Sequence, residues 1–316
     1  MKPIYVLGSR SRPTCEAETT DSFVTNAVNL CLMLAGEFDV RLVGTAGSGV
    51  PGVETIEWAP ALARLAAEPD TAVVAITGPD HLAEALQLPQ TLCEPTRGYD
   101  APVFTRHVAF PSWAWLHFSV GLHRAPDGWQ NWRMIPHAIV PERFTYKEEK
   151  EGYVLFLSRL NHGKGLETAV AACRLAGKRL VVAGTWHGPE SQALLGAAGD
   201  QIEYVGFADY HARRQLLAGA EALLYPTPVL EPFGYTVLEA NVSGTPALVT
   251  DWGAFTETVA DGVNGFRCRS FADFAAALGR LGEIRSRECR EWALERFGRE
   301  KVAPRCREFF APLVDA

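Results

Sequence analysis

The sequence predicts an α/β protein built from two doubly wound, parallel-sheet domains. Short β-branched or aromatic runs alternate with segments whose apolar residues recur every three or four positions, the pattern of strands joined by crossover helices. The alternation breaks at the charged stretch Tyr146-Lys147-Glu148-Glu149-Lys150-Glu151-Gly152 and then starts again. A length of 316 residues also exceeds what one ordinary hydrophobic core accommodates.

In the first half, residues 4–8 form a short apolar strand that runs into a polar loop. Phe23, Ala27, Leu30 and Leu34 then mark one face of a helix. Residues 40–43 read as a strand, 61–67 as a helix, 71–77 as a strand, and 80–86 as a helix opened by Gly-Pro-Asp. Residues 103–105 read as a further strand, with His107 just after it. After the charged stretch, strands are expected at 153–158, 179–183, 202–205, 223–225 and 247–250. Helices are expected at 166–176, 191–197 and 211–220, after Glu231, and after Phe271. The expected domains are residues 1–147 and 148–299, with a last helix near 300–313 crossing back to the first. Two such domains facing each other put a cleft between two sets of strand ends, a common place for small molecules.

Composition narrows the partners. Hydrophobic residues make up 47% and charged residues 21%, which is globular rather than disordered. Net charge is −7, and neither half is basic: 11 Lys and Arg face 15 Asp and Glu up to residue 147, and 19 face 22 beyond it. That balance counts against an extended surface tracking nucleic-acid phosphates. Seven scattered cysteines, odd in number and without a C-x-x-C pair, suit reduced thiols in a cytoplasm. The opening Met1-Lys2-Pro3 leads straight into a strand rather than a signal peptide, and no apolar run approaches the roughly 18 residues of a membrane span.

Two motifs in the second half carry chemistry. Glu231-Pro232-Phe233-Gly234-Tyr235-Thr236-Val237-Leu238-Glu239-Ala240 sets two carboxylates eight positions apart, across a Phe-Gly turn that opens a helix after a buried strand. Ligands of open α/β sheets sit at such strand ends, where helix N-termini offer free N–H groups, and a carboxylate pair there suits a polyhydroxyl ligand. Ser158-Arg159-Leu160-Asn161-His162-Gly163-Lys164-Gly165 places two cations five residues apart in a Gly-containing loop before a helix. Such a loop suits a diphosphate, or simply solvent. It has neither the spacing of a Walker loop nor that of a dinucleotide fingerprint.

These pieces together resemble the donor-binding domain of retaining glycosyltransferase family 4, which has the GT-B fold. The match covers about residues 150–270, in order: Arg159 with Lys164-Gly165; Val205-Gly206-Phe207 before the helix leading to Ala220-Glu221-Ala222-Leu223; the Glu231 to Glu239 signature; and Gly244-Thr245-Pro246, Glu257 and Asp261-Gly262-Val263-Asn264-Gly265-Phe266. The resemblance implies that Arg159 and Lys164 hold the leaving diphosphate and that Glu239 binds the ribose hydroxyls. It implies that Glu231 and the amides of Phe233 and Gly234 meet sugar and phosphates, with Tyr235 beside them. Gly206 and Phe207 would lie against the base, most often uracil. No Asp-x-Asp pair is present, so no metal is expected and the cations take that role. No protein nucleophile is implied.

The first half departs from that pattern. The family's Gly-Gly loop after the first strand is replaced by Gly8-Ser9-Arg10-Ser11-Arg12-Pro13-Thr14 and Thr19-Thr20-Asp21-Ser22-Phe23. Ser9 and Thr20 are small enough to substitute for glycines, and Arg10 and Arg12 suit phosphate or solvent. Residues 107–137 hold Trp113, Trp115, Trp129 and Trp132 and four histidines. These rings suit either a core or an acceptor wall. Trp113 and His117 lie one helical turn apart and share a face, and His107 is the choice for contacting the acceptor hydroxyl. Glu94-Pro95-Thr96-Arg97-Gly98-Tyr99, residues 110–117 and Ile135-Pro136-His137 resemble a subset common in phage genomes, where some members decorate hydroxymethylated pyrimidines in DNA.

The expectation is therefore a metal-independent, retaining transferase moving a sugar from a nucleotide donor, a UDP-sugar such as UDP-glucose, to a hydroxyl. The leading acceptor is 5-hydroxymethylcytosine in DNA, with a small molecule, glycan or lipid otherwise. The competing readings are a sugar-nucleotide-binding protein without turnover, and an epimerase or phosphorylase on the same plan.

Overall fold

A computed structural model describes residues 1–17, 21–101, 105–123, 131–186 and 199–316, apart from the side chain of His162. It divides into two units, residues 1–138 with 297–316, and residues 139–296. Unit 1 contains β1 (Ile4–Leu7), β2 (Val40–Gly44), β3 (Glu54–Glu57), β4 (Val73–Ile76), β5 (Thr91–Glu94), β6 (His107–Phe110) and β7 (Arg133–Met134). Their order across the sheet is β3-β2-β1-β4-β5-β6-β7. Unit 2 contains β8 (Val154–Leu157), β9 (Leu180–Ala183), β10 (Ile202–Gly206), β11 (Ala222–Tyr225), β12 (Ala247–Thr250) and β13 (Gly265–Cys268), ordered β10-β9-β8-β11-β12-β13. Every pairing between these strands is parallel.

The central strands read IYVL, VVAI, VLFL and ALLY, and every residue of them is buried, as parallel strands covered on both faces require. The order reverses between β1 and β4 and between β8 and β11. Those are the switch points where connections leave in opposite directions and a crevice opens beyond the strand ends.

In unit 1 the helix Ser22–Leu34 is capped by Asp21, whose Oδ1 accepts from the Phe23 amide at 2.8 Å. The C-terminal helix Arg299–Val314 packs on it, and the Lys2 amide donates to the Val314 carbonyl at 2.8 Å. That helix contains Pro304 and Pro312. Burial of Val302, Cys306, Phe309, Phe310 and Leu313 in the unit 1 core offsets the lost N–H bonds.

Several details differ from the sequence expectations. The first unit stops at Ala138 rather than at 147, because the following segment is tied to unit 2. Tyr210 Oη donates to the Arg143 carbonyl at 3.2 Å, and the Lys147 amide to the Ser243 carbonyl at 3.3 Å. Lys150 likewise donates to the carbonyls of Lys147 and Ala218 and to Thr245 Oγ1, so the charged stretch is bound to the domain. The strand near His107 begins at His107 itself, since Cys93 of β5 sets its register; residues 102–104 lie outside the described residues. The expected helix 191–197 also lies outside them. The unforeseen β3, ETIE, is mostly exposed and carries no apolar run to signal it.

Two histidines make unit 1 acid-sensitive. Burial pushes the His137 imidazole down to about 3, and burial with Arg10 nearby takes His81 to about 4. Among the described residues, neither ring nitrogen of His81 has a hydrogen-bond partner. Unfolded, both titrate near 6.5. Below that pH the unfolded chain binds protons that the folded chain refuses, so this stability is complete above about 6.5 and is lost as pH falls toward 4 and 3. At pH 5 the loss should be about 4 kcal/mol relative to pH 7.5. Urea titrations at the two pH values measure it. His137→Asn should narrow the difference, and equal stability at both values would contradict the account.

Candidate functional site

Unit 2 assembles its polar cluster at the carboxyl ends of β8 and β11, on either side of its switch point. Beyond Leu157 the chain turns through residues 158–165 into the helix Leu166–Ala176. Gly165 enters that helix with φ +75°, and a Cβ there would collide with the Pro226 carbonyl. This close approach sets Lys164 against the loop that follows β11. Thr227 Oγ1 donates to the Gly163 carbonyl at 2.6 Å and locks the two loops together.

Lys164 Nζ pairs with Glu231 Oε1 and donates to the Tyr225 hydroxyl at 3.2 Å, while that hydroxyl donates to Glu231 Oε1 at 3.1 Å. Burial, reinforced by Glu231, holds the Tyr225 phenol well above its ordinary value, so it stays protonated and keeps donating. The Tyr225 ring meets Phe255 edge-on, with centroids 5.7 Å apart. The result is a cation and a carboxylate on one rigid phenol.

Glu239, in the second turn of the helix Tyr235–Val242, is buried and paired with Arg213 of the helix Tyr210–Gly219. Gly234 precedes the first of these helices with φ +87°; a Cβ there would strike the Phe255 ring at 2.6 Å, so only glycine brings that turn so close. Behind Glu239, Asn241 and Asn264 clasp each other: Asn264 Nδ2 donates to Asn241 Oδ1 at 2.8 Å, and Asn241 Nδ2 to the Asn264 carbonyl at 3.0 Å. The Thr245 and Asn264 motif thus builds the scaffold that holds Glu239, since Asn241 Nδ2 also binds the Thr245 carbonyl.

Of the other expected residues in unit 2, Arg159 opens the same loop as Lys164 and is exposed. Gly206 ends β10 with φ +81°, and Phe207 after it is 58% exposed. Phe233 is buried, and Tyr235, half-buried, meets it edge-on at 5.8 Å. Gly206 is the last residue of β10, and the others lie on loops or helix starts beyond the carboxyl ends of β8, β10 and β11.

Unit 1 holds fewer of the expected residues together. Ser9 follows β1 at that unit's switch point, where it is buried and its amide donates to Thr14 Oγ1 at 2.9 Å. Thr20 lies outside the described residues. Arg10 pairs with Glu84 and lies over the Trp58 ring, and Arg12 lies 3.8 Å from Asp21, so both cations have carboxylate partners. His107 is half-buried at the start of β6, not beyond a strand end, a correction to its expected place. Burial and then Arg106 and Arg133 lower its proton affinity, leaving a neutral imidazole. Trp113 and His117 do share a face of the helix Trp113–His123, with rings 6.1 Å apart, and both are exposed. Trp115 and Trp132 are buried, which removes them from the expected aromatic wall. Trp129 lies outside the described residues.

Sequence reasoning missed Tyr225 and Arg213. Tyr225 looked like the last apolar residue of a strand, and Arg213 like any cation of a polar helix. Their roles come from what they touch 6 and 26 positions away.

Residues 141–293 match the family model described as glycosyl transferases group 1. A glycogen synthase of Mycobacterium tuberculosis is 34% identical over 137 residues, covering 40% of this chain and 32% of that protein. The chain thus spans about a third of the length of that relative. AviGT4, a glycosyltransferase involved in avilamycin A biosynthesis, superposes with a TM-score of 0.77 at 25% identity, over 100% of this chain and 99% of that one. The Anabaena protein HepE, solved with UDP and glucose, superposes at 0.74 with 14% identity, over 98% of this chain and 99% of its own. The two parallel-sheet units are those of the GT-B fold.

Proposed function

We propose that this chain, whose second unit matches the group 1 glycosyltransferase model, moves a sugar from a nucleotide donor to an acceptor hydroxyl with retention of configuration. The observation that carries this reading is the cluster of Lys164, Tyr225 and Glu231 at the switch point of unit 2, inside the span that matches the family. Glu239, held on the scaffold behind it, supplies a second carboxylate for hydroxyl groups.

In the proposed step the bond from the sugar C1 to the phosphate oxygen breaks, and a bond to the acceptor oxygen forms on the same face. The acceptor proton passes to the departing phosphate. Lys164 and Arg159 meet the negative charge that develops on the diphosphate, so the step calls for no metal. Glu231 takes sugar hydroxyls, Glu239 the ribose, and Phe207, with Gly206, lies on the base. HepE, solved with UDP, supports a UDP-linked donor. Unit 1 would serve the acceptor through Trp113 and His117. His107 has less support, because it begins its strand. The buried thiols suit a reducing cytoplasm. A hydroxymethylated base in DNA has less support as acceptor, because Trp115 and Trp132 are buried and Arg10 and Arg12 are paired.

The test is nucleotide release from UDP-, GDP- and ADP-sugars with an acceptor panel, including plain and 5-hydroxymethylcytosine duplexes, followed by mass and NMR analysis of the product. Acceptor-dependent UDP release that survives a chelator and yields a retained anomer is expected. Binding of UDP without release from any donor would establish a non-catalytic binding protein instead. Interconversion of free nucleotide sugars without an acceptor would establish an epimerase, and a requirement for phosphate a phosphorylase.

A further inference from the structure

The pair that buries Glu239 is lopsided. Arg213 directs two donors, Nε at 2.8 Å and Nη2, to the single oxygen Oε2, and Nη2 also reaches Thr236 Oγ1 at 3.2 Å. A guanidinium fork that only stapled two helices would gain most by engaging both carboxylate oxygens, one N–H each. Among the described residues no donor reaches Oε1, which keeps its acceptor sites although Glu239 is only 4% exposed.

We propose that Arg213 is a positioning residue for nucleoside recognition: by holding Oε2 it presents Oε1 of Glu239 to a ribose hydroxyl and makes the site prefer a ribonucleotide to its deoxy form. The inference rests on the reading that unit 2 takes a nucleotide sugar. Placement adds to it. The helix that carries Arg213 is capped by Asp209, whose Oδ1 accepts from the Ala212 amide at 2.8 Å, and it starts just past Gly206 and Phe207. Thr236, bound by the same guanidinium, lies in the first turn of the helix that carries Glu239. One side chain therefore couples the segment assigned to the base with the carboxylate assigned to the ribose. Arg213 need not touch the nucleotide to do so.

Calorimetric titration of the full chain with UDP and with 2′-deoxy-UDP tests this. The wild type should prefer UDP by roughly ten- to a hundredfold, the loss expected for one hydrogen bond to a charged group. Arg213→Leu, checked for folding by circular dichroism, should weaken UDP at least tenfold and bring the preference close to one. Its kinetic defect should fall on the donor KM more than on kcat. Arg213→Lys keeps a charge but loses the planar fork, so it should show an intermediate preference, and it carries the test if the leucine variant does not fold. A wild-type preference retained in either folded variant overturns the proposal. A wild type that binds both nucleotides equally overturns Arg213's role alone, whereas one that binds neither these nor GDP or ADP removes the nucleotide reading and this inference with it.

Discussion

Lys164→Ala should lower kcat by roughly 10²- to 10³-fold, the loss typical when one preorganised charge-stabilising donor is taken from an active site. The negative charge of a departing diphosphate develops as the glycosidic bond breaks, so its cation contributes more in the transition state than in the bound donor. The defect should therefore lie mainly in kcat, with a smaller rise in donor KM. The fold should survive. Lys164 and Glu231 retain 13% and 12% side-chain exposure, and the Tyr225 hydroxyl still donates to Glu231 when the ammonium is gone. Tyr225→Phe gives the contrast: it leaves the ion pair and removes only the hydroxyl that orients it, so its loss should be smaller. Steady-state UDP release with matched melting curves checks both. A folded Lys164→Ala retaining more than a tenth of wild-type kcat would remove Lys164 from the chemistry.

The two α/β units could be read from the sequence because parallel strands buried on both faces are short apolar runs, and their crossover helices repeat every three or four residues. Val154 to Leu157 and Ala222 to Tyr225 announce themselves in this way. The edge strands of unit 1 do not. Glu54 to Glu57 is exposed, and Arg133 and Met134 form a two-residue strand whose only signal is its neighbour in space. The site divides along similar lines. Glu231, Lys164 and Gly234 could be recognised because each is bound to a local turn or helix start. Tyr225 and Arg213 act through partners that only the folded sheet brings near. The proposed acceptor side was the least legible part: aromatic residues crowd residues 107–137, but composition cannot separate the exposed Trp113 from the buried Trp115 two positions on.

Gly165→Ala should damage stability and activity together, and Gly177→Ala at the other end of the same helix shows why. Both glycines have left-handed backbones, φ +75° and +64°. A side chain in that region costs about 1–2 kcal/mol. At Gly177 a Cβ would meet nothing within 4 Å, so the backbone term is the whole cost. At Gly165 the Cβ would also press on the Pro226 backbone, 2.7 Å from its carbonyl carbon and closer still to the oxygen. That backbone cannot yield easily, because Thr227 Oγ1 holds the Gly163 carbonyl and Thr250 Oγ1 holds the Thr227 carbonyl at 2.9 Å. Overpacking of this kind adds about 1–3 kcal/mol, so Gly165→Ala should cost about 2–5 kcal/mol against a stability typically of 5–15. The melting midpoint of unit 2 should fall by roughly 10 °C, about twice the fall for Gly177→Ala. Relief of the clash must separate the two loops, which moves Lys164 away from Tyr225 and Glu231, so turnover should also fall in the fraction that stays folded. Gly177→Ala should leave turnover unchanged. Equal melting shifts in the two variants would mean that backbone conformation alone selects glycine at 165, and that the close approach of the two loops does not hold the site together.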